Sequence, residues 1–203
     1  MARAMHTFKR VCVFCGSNAG SRPEYSAAAR EVGKELARRG VEMVYGGGSV
    51  GLMGVAADAA LAAGGKVIGI IPRGLRTREL AHEGVTSIIE VESMHARKSR
   101  MVELADAFVA LPGGIGTLDE LFETWTWLQL GIHRKPIGLL NVAGYFDRLL
   151  AFLDHARDER FLRSVHLDSL LVEDNVERLL DRAARFEAPD GGKWIEEGAP
   201  LEP

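Results

Sequence analysis

The residues of this chain that could do chemistry gather at glycine-rich turns, and one of those turns leads straight to a carboxylate. Pro112-Gly113-Gly114-Ile115-Gly116-Thr117-Leu118-Asp119-Glu120 follows the apolar run Ala107 to Leu111 and precedes the periodic segment Leu121 to Leu130. That order reads as strand, glycine turn, helix. Such a turn aims unpaired backbone N–H groups and the positive end of a helix dipole at one point, which suits an anion, most often phosphate. A carboxylate repels phosphate, so Glu120, about one turn into the helix, reads as a group for chemistry beside an anion site.

Three more strand-to-helix junctions carry candidate groups. Ser93-Met94-His95-Ala96-Arg97-Lys98 opens a helix. Adjacent helical residues diverge by about 100°, so only one of Arg97 and Lys98 can face a given ligand squarely. Arg97 offers a bidentate fork and Lys98 a point charge. Both oppose the helix dipole unless an anion compensates, and a solvated charged face is the plainer alternative. Gly46-Gly47-Gly48-Ser49-Val50-Gly51 has the outline G-x-G-x-x-G. A dinucleotide site also wants an acidic residue about 20 positions on. Lys66 to Arg73 contains none, which argues against NAD, and the loop lacks the Lys-Ser/Thr ending of a nucleoside triphosphate loop. So many glycines, each with a conformational cost, point to close approach of a ligand or to tight helix–strand packing. Cys15-Gly16-Ser17-Asn18 could touch phosphate or ribose, or could simply cap the next helix.

Other chemistries find little support. Cys12-Val13-Phe14-Cys15 is a C-x-x-C pair, but it lies in an apolar run. In a strand, positions i and i+3 point to opposite faces, so two buried strand cysteines are expected rather than a redox pair. His6, His82, His95, His133, His155 and His166 show no zinc-ligand spacing, and no metal site is expected.

The elements that must position these groups alternate. Apolar runs at Arg10 to Gly16, Glu42 to Tyr45, Lys66 to Ile71, Ser87 to Val91, Ala107 to Leu111 and Pro136 to Leu140 predict strands. Helical patterns lie at about Tyr25 to Arg39, Leu52 to Ala63, Met94 to Ala105, Thr117 to Leu130, Tyr145 to Asp158 and Asn175 to Phe186. This alternation predicts an open, doubly wound, Rossmann-like α/β domain with a parallel sheet, and a ligand site beyond the carboxyl ends of the strands. One domain over residues 1–187 and an irregular tail over 188–203 are expected, because Pro and Gly accumulate after Ala188. With 203 residues, 47% of them hydrophobic, and a net charge of -3, the chain offers no global basic field for nucleic acid or anionic membrane. No apolar run approaches the roughly 18 residues of a membrane span, and Met1 to Arg10 lacks the apolar core of a signal peptide. A small soluble ligand and a cytoplasmic location are expected.

Met94-His95-x-Arg97-Lys98 followed by Pro112-Gly113-Gly114-x-Gly116-Thr117-x-x-Glu120 resembles the signature of the LOG family. These are the cytokinin riboside 5'-monophosphate phosphoribohydrolases, long mislabelled as lysine decarboxylases. The likeness extends through Gly46-Gly47-Gly48, Arg78-Glu79 and Leu130 to Asn141, over about residues 10–160. It implies hydrolysis of the N-glycosidic bond of an adenosine 5'-monophosphate type nucleotide to free base and ribose 5-phosphate, without cofactor, by a homodimer. On that model Gly113, Gly114, Ile115, Gly116 and Thr117 hold the 5'-phosphate, and Arg97 and Glu120 are the catalytic pair. Glu79, Lys98 and Thr126 are implied substrate contacts. Gly16, Ser17, Gly46, Gly47, Gly48, Met94 and Asp119 complete the expected binding set. Asp119 stands where many members have Glu and keeps the charge.

Ribosyl transfer to water passes through an oxocarbenium-like centre, which a carboxylate can stabilise or supply with an activated water. Arg97 could orient that carboxylate, hold phosphate or stabilise charge on the departing base. A pyridoxal-dependent decarboxylase would need a Schiff-base lysine, and only Lys98 lies in a glycine-rich neighbourhood. A non-catalytic nucleotide or cofactor carrier would need the glycine loops but not Glu120 with Arg97. AMP, its N6-isopentenyl form and other purine nucleotides all remain open as substrates.

Overall fold

The computed structural model describes residues 7–75 and 81–189. The expected contact Glu79, its neighbour Arg78 and the tail from residue 190 onward lie outside the described residues. Strands β1 (Arg10–Phe14), β2 (Glu42–Tyr45), β3 (Val67–Pro72), β4 (Ser87–Val91), β5 (Ala107–Ala110), β6 (Ile137–Leu140) and β7 (Leu170–Glu173) form one sheet in the order β4-β3-β2-β1-β5-β6-β7. Every pairing is parallel. The helices are α1 (Pro23–Arg38), α2 (Gly51–Ala62), α3 (Met94–Leu104), α4 (Ile115–Gln129), α5 (Asp147–Asp158), the short α6 (Ser164–Leu167) and α7 (Val176–Ala183).

Continuous apolar strands demand cover on both faces. Val11, Val13, Met43 and Tyr45 pack with α1, α2 and α7 on one side of the sheet. Cys12, Phe14, Val44 and Ile70 pack with α3, α4 and α5 on the other. Alternation along β1 therefore puts Cys12 and Cys15 into separate cores, both as free thiols. Close packing of α1 on α2 depends on a missing side chain, since a Cβ at Gly33 would collide with the Ala56 carbonyl.

Several boundaries differ from the sequence expectations by a few residues, and three of these touch the site. First, β1 stops at Phe14, and beyond it the Gly16 N–H donates to the Pro112 carbonyl at 3.1 Å, in the turn that follows β5. Second, α4 begins at Ile115 rather than Thr117, because extended Gly114 serves as its N-cap and accepts the Leu118 N–H at 3.1 Å. Third, the helix expected from Tyr145 starts at Asp147, after a 3₁₀ turn at Val142–Gly144. The seventh strand, Leu170–Glu173, was not expected: its apolar run Leu170 to Val172 is three residues long, and it pairs in parallel with β6 at the sheet edge. Strand order reverses between β1 and β5, which makes their carboxyl ends the switch point where open α/β sheets bind ligands.

Candidate active site

Two glycine turns meet backbone to backbone at this switch point. A Cβ at Gly16 would come within 2.9 Å of the Asn18 carbonyl, and one at Gly113 would collide with the Thr117 side chain. The Leu52 N–H in turn donates to the Gly16 carbonyl at 2.9 Å, so the loop after β1 is fastened to α2. Gly114 and Gly116 are different: nothing lies within 4 Å of where their Cβ atoms would be. The first turn of α4, with no side-chain cap, therefore opens onto free space at exposed Gly114, Ile115 and Gly116. Its N–H groups have the arrangement that holds an anion. Ser17, Gly113, Gly114, Tyr25 and Tyr145 border a cavity of about 270 Å³ on the flank of this turn.

Arg97 sits beneath a third glycine turn, the one after β2. Ser93 caps α3 by accepting the Ala96 N–H at 3.1 Å, which sets the helix start. One turn along, the buried Arg97 side chain reaches under the sheet end, where Nε donates to the Ile70 carbonyl at 3.1 Å and Nη2 to the Gly46 carbonyl at 2.7 Å. Its Nη1 approaches the Met94 sulfur at 3.7 Å, while Met94 itself is exposed. A Cβ at Gly46 would occupy the place of the guanidinium, which explains that glycine. The same turn is held from outside by the His82 N–H on the Gly47 carbonyl at 3.0 Å and by a bridge between Gly48 and Ala81.

Half-buried Glu120 lies about a turn and a half into α4. Burial pushes the Cys12 thiol well up, the Glu120 carboxylate adds to the rise and Arg97 opposes it. The charges of Glu120 on α4 and Arg97 on α3 thus act on the Cys12 thiol with opposite sign. Lys98 diverges from Arg97 as the helical rotation requires and turns to α4, with Nζ 3.1 Å from Asp119 and 2.8 Å from Glu123. Burial pulls its pKa down, but hydrogen bonds to Glu123 and Asp119 outweigh that and hold it above the usual lysine value. A Schiff-base lysine must instead shed its proton readily, so these residues do not fit pyridoxal phosphate. Among the described residues no group of three or more His, Cys, Asp or Glu could hold a metal ion.

Residues 53–183 match the family model described as "possible lysine decarboxylase". A cytokinin riboside 5'-monophosphate phosphoribohydrolase of Arabidopsis thaliana is 48% identical over 187 residues, covering 92% of this chain and 86% of that protein. The chain belongs to the LOG family. A probable LOG enzyme of the same name from Oryza sativa subsp. japonica is 57% identical over 159 residues, 78% of this chain and 70% of its own. Among solved structures, the molybdenum cofactor carrier protein of Chlamydomonas reinhardtii aligns with a TM-score of 0.65 at 22% identity, covering 87% of this chain and 96% of that one. At that identity the likeness speaks for the fold, which the LOG chain shares.

Of the LOG residues expected from sequence, Gly16, Gly46, Gly47, Gly48, Arg97 and Thr117 are buried, Gly113 is half-buried, and Ser17, Met94, Gly114, Ile115, Gly116 and Asp119 are exposed. Thr126 stands apart, six residues beyond Glu120 on α4, and its hydroxyl already donates to the Phe122 carbonyl at 2.7 Å. Two participants went unnoticed in the sequence. Glu123, the second partner of Lys98, was legible as the i+4 neighbour of Asp119 on one helix face. Tyr145, whose hydroxyl donates to the Gly113 carbonyl at 2.5 Å, gave no such signal.

Proposed function

We propose that this LOG-family chain hydrolyses the N-glycosidic bond of adenosine 5'-monophosphates, N6-substituted cytokinin precursors included, to the free base and ribose 5-phosphate. The observation that carries this reading is 48% identity across 92% of the chain to a protein named for that reaction. Water adds its hydroxyl to C1' and its proton goes to the departing base, so no cofactor is required.

In this mechanism Gly113, Gly114, Ile115, Gly116 and Thr117 hold the 5'-phosphate through the N-terminal N–H groups of α4. That grip fixes the ribose against Glu120, whose negative charge stabilises the oxocarbenium-like centre and orients the attacking water. Arg97, with two nitrogens tied to the Ile70 and Gly46 carbonyls, is a fixed positive charge that orients the carboxylate. Gly16, Ser17, Gly46, Gly47 and Gly48 wall the nucleotide from the β1–β2 side. Met94 and Asp119 complete the substrate contacts among the described residues.

We also take the enzyme to act in the cytoplasm as a homodimer, with neither nucleic acid nor membrane as partner. Met94, 44% exposed, and Ile115, 88% exposed, flank the site and supply apolar surface for a second copy to cover. Among the described residues no helix is long and apolar enough to cross a membrane. Incubation of the purified protein with AMP and with N6-isopentenyl-AMP, followed by chromatography, tests the reading. Free base and ribose 5-phosphate in equal amounts are expected, and intact nucleotide in both incubations overturns it.

A further inference from the structure

Tyr145 belongs to none of the motifs that mark the site, and the mechanism above makes no use of it. It follows the turn Val142–Gly144, where Ala143 (φ 50°) and Gly144 (φ 71°) adopt left-handed backbone and swing the chain from β6 toward the glycine turn before α4. The ring is then held from two sides. Tyr25 meets it edge-on at 5.6 Å and Phe146 at 4.9 Å, with interplanar angles of 79° and 87°. The base of this arrangement is rigid as well: the Asn141 side chain accepts the Phe146 N–H at 2.8 Å and donates to Asp147 at 2.7 Å.

Thus braced, the Tyr145 hydroxyl donates to the Gly113 carbonyl at 2.5 Å. Among the described residues every peptide bond is trans. In a trans peptide the carbonyl and the following N–H point in opposite directions. Holding the Gly113 oxygen toward Tyr145 therefore aims the Gly114 N–H away from it. Gly114 is the extended N-cap of α4, with open space where a side chain would be. Without an anchor, a Gly-Gly peptide is free to rotate, because neither residue restricts its own backbone.

We propose that Tyr145 is a positioning residue for phosphate binding: by gripping the Gly113 carbonyl it pre-sets the Gly114 N–H as a donor to the 5'-phosphate. The proposal rests on the phosphoribohydrolase reading for its substrate, and on geometry alone for the device. A donor fixed in advance spares the ordering cost that a mobile peptide would incur on binding.

Tyr145→Phe keeps the ring and both edge contacts and deletes only the hydroxyl. Expected is a fall of about threefold to tenfold in kcat/KM for AMP, the size of one hydrogen bond, with kcat/KM for adenosine unchanged. Calorimetric titration of ribose 5-phosphate should show its Kd weakened by the same factor, at an unaltered melting temperature. An unchanged Kd overturns the proposal, and so does an equal loss for nucleotide and nucleoside, which would mark a structural role. Should the wild-type protein hydrolyse nothing, the functional reading falls, while the ribose 5-phosphate titration still decides the role of Tyr145.

Discussion

The guanidinium of Arg97 fills the space that a side chain at Gly46 would take, and its Nη2 donates to the Gly46 carbonyl at 2.7 Å. One residue's identity is thus imposed by another 51 positions away. Gly46→Ala should expel the guanidinium and lower kcat/KM for AMP by about 10²-fold, the scale at which small displacements of catalytic groups are felt. Steady-state kinetics alongside a melting curve will check this. A variant with full activity would mean that the position of Arg97 is immaterial.

Glu120→Gln keeps shape and removes charge. If the carboxylate serves the ribosyl centre while the glycine turn serves the phosphate, kcat should drop by about 10² to 10⁴ with ribose 5-phosphate binding retained. A non-catalytic carrier would behave in the opposite sense, binding phosphate more tightly once a repelling charge is gone. Turnover equal to wild type would remove Glu120 from the mechanism.

The phosphate grip predicts that AMP is hydrolysed far faster than adenosine, because binding energy remote from C1' is what positions the reacting bond. The same mechanism predicts full activity in EDTA and without NAD or pyridoxal phosphate. Comparable kcat/KM for nucleotide and nucleoside, or loss on chelation with recovery on adding a metal, would each contradict it.

His133 supplies a pH dependence for stability. Burial first, and then the neighbouring Lys135 charge, push its pKa down to about 4 against the opposing hydrogen bond to the Thr124 carbonyl. With Nδ1 accepting the Lys135 N–H at 3.1 Å, Nε2 carries the proton and donates to Thr124 at 3.0 Å. In the unfolded chain a histidine titrates near 6.5. The depressed folded pKa means that below about 6.5 the unfolded state takes up a proton the native state refuses. Stability from this group is thus complete above that pH and is lost as pH falls toward 4. Between pH 7 and 5 the loss should be about 2 kcal/mol. Urea unfolding of the wild type and of His133→Asn at both pH values tests this, with a shallower pH slope expected for the variant. His166, also pushed down by burial, adds a slope common to both proteins. Equal slopes would mean that His133 is not held neutral.

Much of this site was legible because its signals are local. Buried parallel strands must be apolar along their whole length, so β1, β2, β3, β5 and β6 announced themselves as runs, and the glycine turns stood directly after three of them. The divergence of Arg97 from Lys98 follows from helical rotation alone. β7 was missed because its apolar run is short, Leu-Leu-Val, and no glycine turn follows it.

The sequence by itself determined the layered α/β class, the glycine turn that opens α4, and the presence of the carboxylate and guanidinium. Only the tertiary structure decided that Gly46 in the turn after β2 is a glycine to admit Arg97, that Lys98 pairs with Asp119 and Glu123, and that Tyr145 grips Gly113. The physical reason is the strand order. Reversal between β1 and β5 brings chain segments tens of residues apart to one sheet end, and no periodicity within a segment encodes which of them will meet there.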